Sequence, residues 1–539
     1  MTIAELIIAE ARSRGIKHFF GLPGGGSPLD MIEAGRQQQV QFVSVAHESS
    51  AGIAAGTYGW VKNTPGLAMG VKGVGAGNLA GGAINAYFER VPLVCLCERS
   101  PLSVTQREMV QHCRHDGMFS SVTKYHGTLE AATAPKVVRD AVFHAMDGRP
   151  GPSLMDLPSD LGRAECGAPM ALQSSESRAI SPDDANLLAV KRFIEAHPKL
   201  AIIAGADCLR AGALGELREF VETIGGAVLV NMDARGVFAE SHPRWAGVLM
   251  GLYAPNLIES EVFSRVDGVL LIGADSMMTH VPWKNPLPTC EIVARPEYET
   301  LSPNPVARVN GDLKSILKQL TSQRRAGVPE ADIAQARKTI LRFFQRPPEA
   351  KLAAQDVLAI TRKILPSDGI LLSETGAFVC MLEHLWPVDR PGTFLGTSGG
   401  RSMGLTVPAL LGAKLAKPEV PMIGLGADGS LLMRLGELEL FSRFKVAAPL
   451  VIVNDQALGT MKSRQKARGL PDCALDLHPV DFAAIARACG LRGVMVDTPD
   501  AFERELRTAM TAPQATLIDA RVDAKAYQDS FGPTIGLGK

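Results

Sequence analysis

Short apolar runs alternate with longer amphipathic stretches along most of this chain, the pattern of parallel strands joined by crossover helices. The opening MTIAELIIAEARSRG sets apolar side chains at helical spacing between acids and arginines and predicts an amphipathic surface helix. KHFFGLPGGG reads as a strand entering a glycine-rich turn, and QFVSVA and PLVCLCE as strands further on. LAIIAGAD and GVLLIGAD give two strands near the middle, and PMIGLGADGS and PLVIVNDQ a later pair. Two stretches interrupt the rhythm. Residues 163–186 are rich in Ser, Glu and Ala with no strand, and residues 322–352 are charged and helical, ending at a Pro-Pro. They divide the chain into units at 1–165, 187–325 and 350–539, three consecutive α/β domains with mainly parallel sheets.

Length agrees with that division, since 539 residues exceed what one hydrophobic core organises. The 56 Lys+Arg balance the 56 Asp+Glu, which leaves no global field to attract nucleic acid or an anionic membrane. With 46% hydrophobic and 21% charged residues the chain reads as well buried rather than disordered. No apolar run reaches the roughly 18 residues that span a bilayer, and the first helix lacks the apolar core of a signal peptide. The nine cysteines are scattered without a C-x-x-C pair, which suits free thiols in a reducing cytoplasm.

Glycines cluster at several strand ends, where parallel sheets bind ligands: LPGGGSP at 22–28, KGVGAGN at 72–78, GTSGGRSMG at 396–404 and GLGADGS at 424–430. None is the G-x-G-x-x-G of a dinucleotide site, so a Rossmann oxidoreductase is a weak reading and any one cluster alone reads as a turn. Two constellations carry more. GADGS at 426–430 and Asn454-Asp455-Gln456-Ala457 both end strands, and Asp428 with Asp455 would set hard oxygens around a small divalent cation. Gly429 and Ser430 would offer donors to phosphates attached to that cation. The plainer alternative is an Asp-Gly turn and a helix cap. In AHESSAGIAAGTYGWVK, Glu48 stands between a strand and a small-residue helix suited to close packing. A carboxylate there is poorly solvated and suited to handing on a proton, or it is an acid favoured by the helix dipole.

Taken together, these motifs resemble the thiamine diphosphate enzyme family, in its acetolactate synthase and 2-oxo acid decarboxylase branch, including benzoylformate decarboxylase-like enzymes. The resemblance runs through FGLPGGGSP, HESSAG, KGVGAGNLAGGAINAY, GPSLMDLPSDL, HPRWAGVLMG, GGRSMGLTVPALLGAKLAKP and ADGS with its downstream Asn-Asp. It implies pyrimidine-binding, central and diphosphate-binding domains in that order. It also implies that Glu48 hydrogen-bonds the cofactor's aminopyrimidine and promotes formation of the nucleophilic ylide. Met403 would support the bent cofactor, with Gly404 and Gly376 beside it and Gly429 and Ser430 on the diphosphate. Asp428, Asp455 and the Ala457 carbonyl would hold Mg²⁺.

Departures from the family pattern bear on the substrate. Ala427 replaces the first glycine of a GDG triplet, a mild change at negative φ, and Asp455 replaces the usual second Asn. Ala377 and Phe378 stand where acetolactate synthases show a Gln-His pair. Gly25 and Gln111-His112 lack the proton relay of pyruvate decarboxylase-like enzymes, and Gly25, Val71 and His280 keep one of three benzoylformate decarboxylase-like positions. Arg464 and Thr279 occupy the places of a Trp and an Arg, which argues against acetolactate synthase proper and against FAD. Gln111 and His280 are the remaining catalytic candidates. Lys72 is either a carboxylate ligand or a solvated loop residue, and Arg464, in KSRQKARG, either meets an anionic substrate tail or belongs to a solvated face.

The expected function is thiamine diphosphate- and Mg²⁺-dependent decarboxylation of a 2-oxo acid through an enamine. The alternatives are an acetolactate synthase-like carboligase, which adds that enamine to an aldehyde or ketone, and a non-catalytic cofactor-binding paralogue. The resemblance further implies a cytoplasmic homodimer or homotetramer with its active site at the subunit interface, and a small-molecule substrate rather than a nucleic acid or membrane partner.

Overall fold

The computed structural model describes residues 1–104, 110–171, 183–249, 258–278, 283, 285–321 and 325–525. Its strands form three six-stranded sheets, and every pairing within them is parallel. The first contains β1 (His18–Gly21), β2 (Gln41–Ser44), β3 (Gly66–Gly70), β4 (Leu93–Arg99), β5 (His126–Thr128) and β6 (Pro152–Pro158). The second contains β7 (Leu200–Ala204), β8 (Ala227–Val230), β9 (Trp245–Val248), β10 (Gly268–Ile272), β11 (Thr289–Val293) and β12 (Ala307–Asn310). The third contains β13 (Ile370–Ser373), β14 (Phe394–Leu395), β15 (Met422–Ala427), β16 (Pro449–Asn454), β17 (Arg492–Val496) and β18 (Thr516–Arg521). The apolar runs singled out in the sequence are β1, β2, β4, β7, β10, β15 and β16. Such continuous runs are what a strand buried on both faces requires, β2 being the exception as a partly exposed edge strand.

The first sheet runs β2-β1-β3-β4-β6-β5 and the third β14-β13-β15-β16-β18-β17, so the two share one strand order. The middle sheet runs β12-β11-β10-β7-β8-β9 and reverses direction between β7 and β10. A crevice at such a reversal is where open α/β sheets take ligands. Here two arginines of the first unit enter it: Arg149 pairs with Asp207 and Asp275, each at 3.0 Å, and Arg90 pairs with Asp275 at 2.7 Å.

The first and third units pack directly on each other. Helix Glu48–Lys62 lies against helix Thr406–Ala416 so closely that a side chain at Gly412 would overlap the Ala54 carbonyl. On its other side Gly52 meets Gly82, where a methyl group would stand 2.8 Å from the Gly82 α-carbon. The small residues of AGIAAG therefore serve the close packing read from the sequence. No described helix is long and apolar enough to cross a membrane.

A buried carboxylate fastens the same interface. Glu89 accepts hydrogen bonds from the Ser398 amide (2.7 Å) and the Gly400 amide (3.1 Å) of the third unit, and burial raises its pKa from 4.5 to about 7. A carboxyl group with a raised native pKa binds its proton more readily folded than unfolded. Its contribution to stability is therefore full below about pH 4.5 and is lost as pH rises toward about 7. Unfolding of wild type and Glu89→Gln at pH 4.5 and 7.5 should show the wild type losing up to about 3 kcal/mol relative to the variant across that window.

Candidate active site

Glu48 is the first residue of helix Glu48–Lys62, just beyond β2. His47 caps the helix by accepting from the Ser49 amide through Nδ1 at 3.2 Å, which fixes the backbone that carries the glutamate. Glu48 is 5% exposed, and Asn78 Nδ2 donates to its Oε2 at 3.0 Å. A methyl group at Gly75 would stand 3.0 Å from Glu48 Oε1 and 2.5 Å from Val71 Cγ2. The glycines of KGVGAGN, read from the sequence as a candidate phosphate cradle, thus make room around this carboxylate. The preceding loop is tied to the third unit, since the Ala46 amide donates to Glu437 Oε2 at 3.0 Å.

Beside Glu48 lies a cavity of about 570 Å³, lined by Gly24–Gly26, Val71, Lys72, Glu98, Gln111 and Ser159. It sits over the carboxyl ends of β1, β3, β4 and β6. Val71 separates it from Glu48, with one methyl against Gly24 and the other against Gly75. Gln111 is exposed at its edge and holds φ +61°, a left-handed conformation that a non-glycine residue adopts at a cost. Its backbone packs on Gly73, itself at φ +68°, where a methyl group would stand 2.7 Å from the Gln111 carbonyl. Lys72 is half-buried, with no carboxylate within ion-pair distance among the described residues.

Among the described candidates, His112 is not part of the cavity lining. His112 Nδ1 lies 3.2 Å from Ser100 Oγ. His280, a catalytic candidate from the sequence, lies outside the described residues, as does Thr279.

A second cluster occupies the carboxyl ends of β13, β15 and β16. Asp428 follows β15 and accepts from the Gly429 amide (2.7 Å) and the Gln456 amide (2.8 Å), which locks it to the segment after β16. Burial and then the neighbouring Asp455 raise its pKa from 3.8 to about 7. Two carboxylates held together in a poorly solvated place form a site that a cation would neutralise. Among the described residues no group of three His, Cys, Asp or Glu side chains is placed to hold a metal ion. A cation here must therefore draw its remaining ligands from backbone, water or phosphate. Ala457 adjoins the pair, its amide donating to Asp455 Oδ1 at 3.3 Å.

Other members of the cluster fit a diphosphate beside the cation. Ala427 has φ −112°, so its methyl group imposes no strain on the triplet. Gly376 lies against Ala427, where an added methyl would stand 3.1 Å from the Ala427 Cβ. A methyl at Gly429 would stand 3.5 Å from the Met403 methyl, so those two candidates are neighbours. Gly404, at φ +74°, gives the loop a turn that favours glycine. Ser430 Oγ is 3.4 Å from the Thr375 carbonyl. Phe378 is buried against Gly376 and offers no hydrogen bond. Arg464 is exposed on helix Gly459–Ala467, and Lys462 beside it pairs with Asp472 and Asp476, which fits a solvated face.

Sequence reading missed Glu374. This buried carboxylate accepts from the amides of Leu405 (2.6 Å), Thr406 (3.1 Å) and Ala427 (3.1 Å), and so joins the Met403 loop to the strand that delivers Asp428. Its signal was an acid directly after the apolar run of β13. Within the chain Glu48 makes no hydrogen bond to any residue of this second cluster.

Three family models match the chain in order. They are the thiamine pyrophosphate enzyme N-terminal TPP binding domain over residues 1–118, the central domain over 187–320 and the C-terminal TPP binding domain over 374–520. The chain belongs to the thiamine pyrophosphate enzyme family. It is similar over almost its whole length to acetolactate synthases. The isozyme 3 large subunit of Escherichia coli (strain K12) is 26% identical, over 97% of this chain and 95% of the relative. The large subunit of Lactococcus lactis subsp. lactis (strain IL1403) is 24% identical, over 97% of this chain and 93% of the relative. As a member of the thiamine pyrophosphate enzyme family the chain is a thiamine diphosphate-dependent enzyme. The buried carboxylate pair and glycine-lined loops of the third unit fit a metal-bound diphosphate.

Proposed function

We propose that this enzyme joins two carbonyl compounds, taking a 2-oxo acid as donor, releasing CO₂ and ligating the remaining fragment to a carbonyl acceptor. Similarity to acetolactate synthases along almost the whole chain carries this reading. It favours ligation over the simple decarboxylation expected from the sequence. Arg464, standing where acetolactate synthases are expected to show a tryptophan, keeps decarboxylation as a second reading.

Thiamine diphosphate, when bound, supplies a carbon nucleophile and an electron sink next to the substrate carbonyl. Asp428 and Asp455 would hold Mg²⁺ through their side chains, and Ala457 would offer its carbonyl. Gly429 and Ser430 would donate to the diphosphate, Gly376 and Gly404 would let the loops approach it closely, and Met403 would pack against the cofactor. Glu48, oriented by Asn78, would hold and return a proton at Oε1 beside the bound cofactor. Gln111 and Lys72 face the substrate, Lys72 as the partner of its carboxylate, and His280 remains a candidate proton donor. The two clusters complete each other across two copies of the chain, a homodimer or homotetramer, with domain limits at 1–165, 187–325 and 350–539.

Stoichiometry tests the reading. With thiamine diphosphate, Mg²⁺ and ¹³C-labelled pyruvate, ligation consumes two pyruvates and one proton for each CO₂ and gives a five-carbon 2-hydroxy-3-oxo acid visible by NMR. One CO₂ per pyruvate with free acetaldehyde as the only other product would identify a decarboxylase instead.

A further inference from the structure

We infer that Glu98 is a specificity-determining residue, which selects substrates bearing a hydrogen-bond donor, such as a hydroxyl group, beyond the 2-oxo acid unit. The inference rests on the proposed 2-oxo acid chemistry. Glu98 ends the apolar run Leu93–Cys97 of β4 and is 4% exposed, yet its Oε1 has no hydrogen-bond partner among the described residues. A buried carboxylate oxygen without a partner is costly to keep. The glycine loop lies directly on it: a side chain at Gly26 would collide with Oε1, and a methyl at Gly24 would stand 3.6 Å from Oε2. Glycines at 24 and 26 thus let the loop lie close against this carboxylate without a side chain between them, and Glu98 lines the cavity wall.

Lys72 lines the same cavity and makes no ion pair with Glu98, so opposite charges face one space without neutralising each other. An ammonium suits the carboxylate of a 2-oxo acid, and an ionised carboxylate accepts strongly from a hydroxyl. A molecule carrying both groups satisfies both walls. At about 570 Å³ the cavity has room for a substrate with a polar chain longer than that of pyruvate.

Pyruvate and hydroxypyruvate differ by one hydroxyl and form the test pair. The wild type should prefer hydroxypyruvate in kcat/KM by about tenfold or more, the discrimination expected when a buried acceptor is satisfied by one substrate and not the other. Glu98→Leu should bring that ratio close to one, and Glu98→Gln, which keeps an acceptor oxygen at the same reach, should retain part of it. Calorimetric binding of D-glycerate and D-lactate, which do not turn over, should show the same loss of preference. Glu98→Leu should also raise Tm, because it removes an unsatisfied buried charge. An unchanged preference in Glu98→Leu and Glu98→Gln, in turnover or in binding, overturns the assignment whatever their stability. A wild type that turns over neither 2-oxo acid overturns the proposed function instead, and the binding comparison still decides the role of Glu98.

Discussion

Glu48→Gln should lower turnover of any 2-oxo acid substrate by roughly 10²- to 10⁴-fold, the range a positioned proton-transfer group contributes, while thiamine diphosphate still binds. Glutamine matches glutamate in size, and its amide oxygen still accepts from Asn78 Nδ2, so the helix start and its cap are kept. What the variant loses is the ability to hold and release a proton at Oε1. The wall on that side is Gly75 and Val71, which offer no substitute group. A neutral amide is also cheaper to bury than a carboxylate, so a fall in rate cannot be traced to unfolding if Tm is held or raised. Calorimetry with thiamine diphosphate and CO₂ release measured on the same preparations separate the two effects. Equal rates for the two proteins, with the cofactor bound to both, would remove Glu48 from the chemistry and favour a non-catalytic paralogue.

The strands read from the sequence were legible as apolar runs, most of them closed by glycine or an acid, as in LAIIAGAD and GVLLIGAD, whereas short polar strands such as His126–Thr128 carry no such run. Their pairing was not. Nothing in the periodicity of β1–β6 and β13–β18 says that both sets assemble in one order, because adjacency in a parallel sheet is set by crossover packing. Asp428 and Asp455 were legible as strand-end oxygens, and the structure brings them together. Glu98, Glu89 and Glu374 were not, although each directly follows an apolar or small-residue run. Their importance lies in contacts with distant segments: the 24–26 loop, the 398–400 loop and the start of helix Thr406–Ala416. A single buried acid has no spacing to betray it. KGVGAGN shows the opposite case, a conspicuous pattern whose glycines answer to steric room around Glu48 and Val71.

Asp428→Asn should weaken Mg²⁺ binding by about 100-fold or more, since a hard cation loses a carboxylate from a site with few protein ligands. The amides of Gly429 and Gln456 bond separate oxygens of Asp428, so asparagine keeps an acceptor for one and turns its NH₂ toward the other, and Tm measured on the same protein separates a shifted segment from the lost ligand. Asp455→Asn supplies the contrast. It keeps an oxygen at the second position and removes the charge that, after burial, raises the Asp428 pKa. If Asp455 acts as an oxygen ligand and its charge is incidental, Mg²⁺ affinity should change by less than about tenfold, well short of the Asp428→Asn effect. Titration of Mg²⁺ into each variant at saturating thiamine diphosphate, followed by calorimetry, reads both numbers. Equal losses in the two variants would mean that the pair binds as two required charges. No loss in Asp428→Asn would move the metal away from β15.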